Sequence, residues 1–233
     1  MVRKSRMKQV ALKARKIIAN DNPKSPIAEQ YRTIRANLQF ASVDHELQSL
    51  LITSSGPSEG KSMTSANMAA VFAQQGKKVL LVDADLRKPT VHHTFRLTNT
   101  RGLSNFLVGR EGLKEIIQHT GVDNLEILTS GPIPPNPSEL LGSKAMNKLM
   151  LEARQNYDLV IFDTPPVLAV SDSQVLASDV DGVMLVIRSG QTEFSAAERA
   201  KELLEQSRAN LLGVVLNDRE KKNSNYYYYY GNG

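Results

Sequence analysis

The sequence predicts an α/β fold, a doubly wound and mainly parallel sheet with helices on both faces. Three observations predict it. Six short apolar runs alternate with longer segments of helical character. The runs are continuous rather than alternating, as a sheet covered on both faces requires. The 233 residues suffice for one such domain with a sizeable core. Strand–helix alternation of this kind implies parallel pairing, and ligands of such sheets sit beyond the carboxyl ends of the strands.

Taken in order, the chain starts with a basic arm that runs to about Asn22. Its Met7, Val10, Ala11, Ala14, Ile17 and Ile18 recur at helical spacing. Two readings stand here: a basic amphipathic helix on anionic lipid or a partner, and a solvated tail. Ser25-Pro26 then reads as a helix start, N-cap and first helical position, with the helix reaching about Phe40. The strand candidates are Ser49–Thr53, Lys78–Val82, Leu125–Leu128, Leu159–Phe162, Val183–Ile187 and Leu211–Leu216. The helix candidates are Lys61–Gln75, stopped by Gly76, Leu113–His119, Lys144–Asn156, Asp172–Ser178 and Phe194–Ala209. Beyond Leu216 the order signals stop. A polar segment ends in Tyr226, Tyr227, Tyr228, Tyr229 and Tyr230 and then Gly231-Asn232-Gly233. The expected division is a basic arm over 1–24, a catalytic domain over 25–217 and a tyrosine-rich tail over 218–233.

Composition narrows the function classes. There are no cysteines, which excludes disulfides and thiolate metal sites. No stretch approaches the roughly 18 apolar residues of a membrane helix, and Lys13, Arg15 and Lys16 interrupt the apolar residues of the arm, so a signal peptide is not expected. A cytoplasmic location follows as the expectation. The net charge is +5, yet residues 1–20 alone carry +7 and the rest of the chain sums to −2. The basicity belongs to the arm, so nucleic acid is not an expected partner.

Three motifs carry chemistry, each at the end of an apolar run. Ser54-Ser55-Gly56-Pro57-Ser58-Glu59-Gly60-Lys61-Ser62 joins a strand to a helix, the context of a phosphate-binding P-loop. Backbone N–H groups of Gly56, Ser58, Glu59, Gly60, Lys61, Ser62 and Met63 would surround the phosphates. Lys61 would add a charge at the β and γ phosphates, and Ser62 a hydroxyl for Mg²⁺. The strict pattern wants Gly at 55, where this chain has Ser55-Gly56, so the loop is a variant. The second motif, Asp83-Ala84-Asp85-Leu86-Arg87-Lys88-Pro89, sends two carboxylates off one strand end on the same side. The third, Asp163-Thr164-Pro165-Pro166, places a further carboxylate where a Walker B aspartate holds Mg²⁺, and its prolines stop the strand. A lysine, a hydroxyl and three carboxylates around phosphates make a metal-assisted phosphoryl-transfer site using ATP and Mg²⁺. One aspartate is free to accept a proton from the attacking hydroxyl. Water as acceptor makes an ATPase, and a protein hydroxyl makes a kinase.

These motifs, together with Gly131-Pro132-Ile133-Pro134-Pro135-Asn136-Pro137-Ser138-Glu139-Leu140-Leu141 and the tyrosine tail, resemble the bacterial tyrosine kinases of capsular and extracellular polysaccharide export. The resemblance covers nearly everything from Ser25 onward. It implies that Lys61 and Ser62 bind phosphate and Mg²⁺, that Asp85 and Asp163 hold Mg²⁺, and that Asp83 is the candidate base. Tyr226 to Tyr230 become sites of autophosphorylation in trans. Glu29, Arg32 and Arg35 match the family's E-x-x-R-x-x-R helix and fall on one face, which implies a ring-like homo-oligomer. A membrane-anchored activator protein is implied too, because the soluble form of this kinase acts with one, and so are other protein tyrosine substrates. The runner-up is a deviant Walker ATPase of the partition or septum-placement type. That type carries a further lysine near the start of the P-loop, and residues 54–59 here contain none. Arg87 is a candidate arginine finger.

Overall fold

The computed structural model describes residues 17–41 and 46–219. The six apolar runs become six strands: β1 (Ser49–Ser54), β2 (Val79–Asp83), β4 (Leu125–Leu128), β5 (Leu159–Asp163), β6 (Gly182–Arg188) and β7 (Leu211–Asn217). With β3 (Ile117–His119) they form one seven-stranded sheet in the order β3-β4-β2-β5-β1-β6-β7. Every pairing is parallel except β3 with β4. The central runs are buried along their whole length, β1, β2 and β5 without exception.

Alternate residues of each strand feed two cores. Leu51, Leu80, Val82 and Phe162 point to one, under α5 (Leu103–Leu107), α8 (Lys144–Asn156), α9 (Asp172–Ala177) and α10 (Phe194–Gln206). Leu50, Ile52, Leu81 and Ile161 point to the other, under α3 (Lys61–Ala73). The middle of α3 is enclosed on all sides, with Ala66, Ala69 and Ala70 letting it lie close on the sheet. Ser25 accepts the backbone N–H of Ala28 at 3.1 Å, capping α2 (Pro26–Ala41) as its sequence implied.

Several boundaries differ from expectation. The segment 113–119 divides: α6 (Leu113–Ile116) ends after one turn, and Ile117–His119 pairs antiparallel with β4 at the sheet edge. α4 (Val91–Phe95) and α7 (Pro137–Leu141) lie in stretches assigned no element. α3 and α10 end two and three residues early. Beyond α3, Gly76 takes φ +94°, a turn that suits glycine. The end of the basic arm is core: Ile17 and Ala19 are buried, and α1 (Ile18–Asp21) packs on α3. The backbone N–H of Ala19 donates to Asn67 Oδ1 at 3.0 Å, and Gln74 Nε2 donates to the Ala19 carbonyl at 2.9 Å.

Candidate active site

The sheet order brings the three motifs together. β5 lies between β1 and β2, and Asp83 at the end of β2 stands in register with Asp163 at the end of β5. The P-loop leaves the end of β1 next door. Two carboxylates that arrive from separate motifs are therefore neighbours across one strand pair.

The P-loop curls tightly from β1 into α3. Ser58 and Gly60 both have positive φ, 64° and 94°. Gly60 has a second reason to be glycine, since a Cβ there would lie 2.0 Å from Asn217 Nδ2. That amide donates to the Glu59 carbonyl at 2.9 Å, tying the end of β7 to the loop. The Glu59 side chain turns inward rather than toward a ligand. Its carboxylate accepts Ser55 Oγ at 2.7 and 2.8 Å, the Gly56 N–H at 2.9 Å and Thr192 Oγ1 at 2.5 Å. The Gly56 N–H, expected to face phosphate, is engaged there. Lys61, Ser62 and Met63 form the first turn of α3, where backbone N–H groups have no partner within the helix.

Lys61 sits among the acids. Its Nζ lies 3.1 Å from Asp85 Oδ2, 3.6 Å from Asp163 Oδ1 and 3.3 Å from Ser62 Oγ. Burial pulls its ammonium down, but the charges of Asp163 and Asp85 outweigh that and hold the pKa above its ordinary value. Asp163 also accepts Ser65 Oγ at 3.0 Å, and Asp85 Oδ1 accepts the Lys88 N–H at 2.9 Å. Asp83 Oδ2 accepts the backbone N–H groups of Thr90 and Val91, each at 3.0 Å, and so holds the start of α4. Burial, then the charge of Asp163, pushes Asp83 up to about 8. Burial raises Asp163 as well, against the opposing pull of Lys61. Asp83 Oδ1 and Asp163 Oδ2 are buried without a hydrogen-bond partner. An orphaned carboxylate oxygen costs several kcal/mol unless a cation or donor meets it, so the donor set fits a hard cation. No three His, Cys, Asp or Glu side chains converge as a metal cage among the described residues. Mg²⁺ held partly by nucleotide phosphates needs none.

The remaining candidates are placed less simply. Arg87 binds Asp172 through Nε and Nη2 at 2.9 and 3.0 Å, so its guanidinium is engaged rather than free as a finger. On α2, Arg32 pairs with Glu29 at 2.8 Å and donates to the Pro23 carbonyl at 2.7 Å. Arg35 donates to the Val71 carbonyl of α3 at 2.7 Å, so this part of the face serves the chain's own packing. Thr192, Asn217, Ser65 and Asp172 were given no role in the sequence, and Ser138 stood there only as part of the proline-rich motif. Each acts on a partner at least 34 residues away. The five tail tyrosines lie outside the described residues.

Known proteins match this arrangement. A family described as an AAA domain matches residues 55–210. Over 217 residues the chain is 54% identical to the tyrosine-protein kinase YwqD of Bacillus subtilis (strain 168), spanning 93% of this chain and 92% of that protein. The chain belongs to the bacterial protein-tyrosine kinases. The kinase is also 44% identical to the putative tyrosine-protein kinase CapB of Staphylococcus aureus, over 92% of its own length and 95% of the relative's. The solved kinase domain of the Escherichia coli tyrosine kinase ETK superposes with a TM-score of 0.86 at 40% identity, covering 97% of this chain and 89% of that one. The chimerical protein CapA2B2 superposes with a TM-score of 0.85 at 45% identity, covering 88% and 90%. The septum site-determining protein of Pyrococcus horikoshii OT3, at 22% identity and a TM-score of 0.62, shares the fold. No helix among the described residues is long and apolar enough to cross a membrane.

Proposed function

We propose that the kinase transfers the γ-phosphoryl group of Mg-ATP to tyrosine hydroxyls, those of Tyr226 to Tyr230 in a neighbouring copy included, and thereby regulates production of capsular or extracellular polysaccharide. The observation that supports it best is the pair of orphaned oxygens on Asp83 and Asp163 beside a buried lysine. The first turn of α3 and the P-loop backbone would seat the phosphates. Lys61 would exchange its carboxylate partners for the β and γ oxygens. Ser62, Asp85 and Asp163 would hold Mg²⁺, which offsets phosphate charge when bound. Asp83 would take the tyrosine proton on Oδ1, the oxygen not spent on α4. Burial holds this carboxyl above the ordinary carboxylate range, which strengthens it as a base.

The same reading gives the kinase a cytoplasmic place beside the membrane, held by a membrane-anchored activator protein. It forms a ring-like homo-oligomer in which Glu29 and Arg32 contribute to the contact. Phosphate charge accumulating on the tails then loosens the ring. The test is mass spectrometry of the tail after incubation with Mg-ATP, with Lys61→Met in parallel. Phosphate on Tyr226 to Tyr230 that requires Lys61 is the expected result. Steady ADP release with an unmodified tail favours an ATPase of the septum-placement type instead.

A further inference from the structure

Three separate stretches of the chain meet at a point the phosphoryl-transfer scheme does not use. Arg87 follows Asp85 by two residues. Its Nε donates to Asp172 Oδ2 at 2.9 Å, and its Nη2 donates to Asp172 Oδ1 at 3.0 Å and to Ser138 Oγ at 3.1 Å. Ser138 Oγ in turn donates to Asp172 Oδ1. Asp172 is wholly enclosed at the first position of α9, whereas the Arg87 side chain is 40% exposed. The guanidinium is thus the lid on a buried carboxylate. Ser138 belongs to the proline-rich loop, and Ser173, next to Asp172, donates to the Pro165 carbonyl just past Asp163. Thr53 at the end of β1 donates to that same carbonyl at 2.8 Å. One connected network therefore joins the loop of Asp83 and Asp85, the proline-rich loop, the Asp163 turn and the strand that carries the P-loop.

We propose that Arg87, Asp172 and Ser138 form a latch that positions Asp85, and that Arg87 is a positioning residue rather than a group acting on the phosphoryl. The physical route is short. Pinning Arg87 fixes the turn of residues 85–88, and that turn directs the Lys88 N–H onto Asp85 Oδ1 at 2.9 Å. The other oxygen of Asp85 is then aimed at Lys61. A planar fork on a buried carboxylate is a geometry that lysine cannot reproduce. The inference rests on the proposed function only in taking Asp85 as a holder of Mg²⁺.

The experiment compares Arg87→Ala, Arg87→Lys, Asp172→Asn and the double Arg87→Ala/Asp172→Asn with the wild-type chain. Two readouts avoid phosphoryl transfer. One is the Mg²⁺ midpoint for binding a fluorescent ATP analogue. The other is hydrogen exchange at the Lys88 amide. The latch predicts that Arg87→Ala, Arg87→Lys and Asp172→Asn each raise the Mg²⁺ midpoint by roughly tenfold, as loss of a supporting contact around a metal ligand does. Faster exchange at Lys88 accompanies each, and the double variant is no worse than the worse single, because both remove one interaction. Wild-type behaviour of Arg87→Lys, or multiplying effects in the double variant, overturns it. If Asp172→Asn fails to fold, the Arg87→Lys and Arg87→Ala comparison still decides, since a group acting by charge is rescued by lysine and a latch is not. An unphosphorylated wild-type tail with Mg²⁺-dependent nucleotide binding intact removes the proposed function and leaves the latch standing.

Discussion

The two ends of the central strands carry carboxylates in opposite conditions. At the amino end of β1, Asp181 is satisfied on both oxygens. Its Oδ2 accepts the Gln48 and Ser49 N–H groups and Ser49 Oγ, and its Oδ1 accepts Arg154 Nη2. At the carboxyl end, Asp83 and Asp163 each keep one oxygen without a partner. They also stand side by side in register, and the charge of Asp163 adds to burial in raising Asp83, while burial raises Asp163. The first cluster closes the fold. The second is kept at a cost that the fold does not need, and such unmet demand is what a ligand site supplies.

Substitutions can break this contrast. The largest effect is expected from Lys61→Met, which removes the one ammonium among the acids and should cut tail phosphorylation by at least about 10³-fold. Quantitative phosphotyrosine mass spectrometry checks it, and normal labelling would sink the assignment. Asp163→Asn should lower turnover about 100-fold through loss of a cation-holding group, yet leave the melting temperature unchanged or higher. The sign follows from burial. The folded state raises this carboxyl's pKa, so its charged form is the one the fold disfavours. A fall in both activity and melting temperature would show that Asp163 is structural.

Asp181→Ala should do the reverse. It leaves Arg154 with Ser49 Oγ alone and strands two backbone N–H groups, and a cost of about 2 kcal/mol is expected once partial exposure is discounted. Chemical denaturation measures it, with activity per folded molecule preserved. The smallest effect belongs to Arg35→Ala, about 1 kcal/mol from a lost bond to the Val71 carbonyl. Light scattering on the same variant sharpens the picture: unchanged mass would confine Arg35 to its own chain, and a lower mass would put it in the proposed contact between copies.

The sequence was most readable where burial was uniform. Runs such as Leu50–Ile52 and Leu80–Val82 could only be strands covered on both faces, and their ends located the acids. It was least readable where a contact spans the chain. Nothing in Glu59 foretells that its carboxylate folds back onto Ser55 and across to Thr192. Arg87 looked like a group for the transition state because Asp172 lies 85 residues away. Ile117–His119 continued a helical pattern, and its pairing with β4 prevailed because the sheet edge was open to it. Elements of four or five residues, such as α4 and α7, are too short to show any period. Ile17 and Ala19 were masked by the lysines and arginines before them.

The bond between Asn217 and the P-loop turns the tail into a measuring tape. Its origin is fixed at the rim of the chain's own nucleotide site. Nine residues later comes Tyr226 and four more bring Tyr230, so their outermost reach is about 30 and 43 Å at roughly 3.3 Å per residue. In any assembly, a neighbour's site beyond the first distance but within the second is open to the last tyrosines and closed to the first. Under the proposed transfer between copies, the order in which the five are modified would read out the spacing between successive sites.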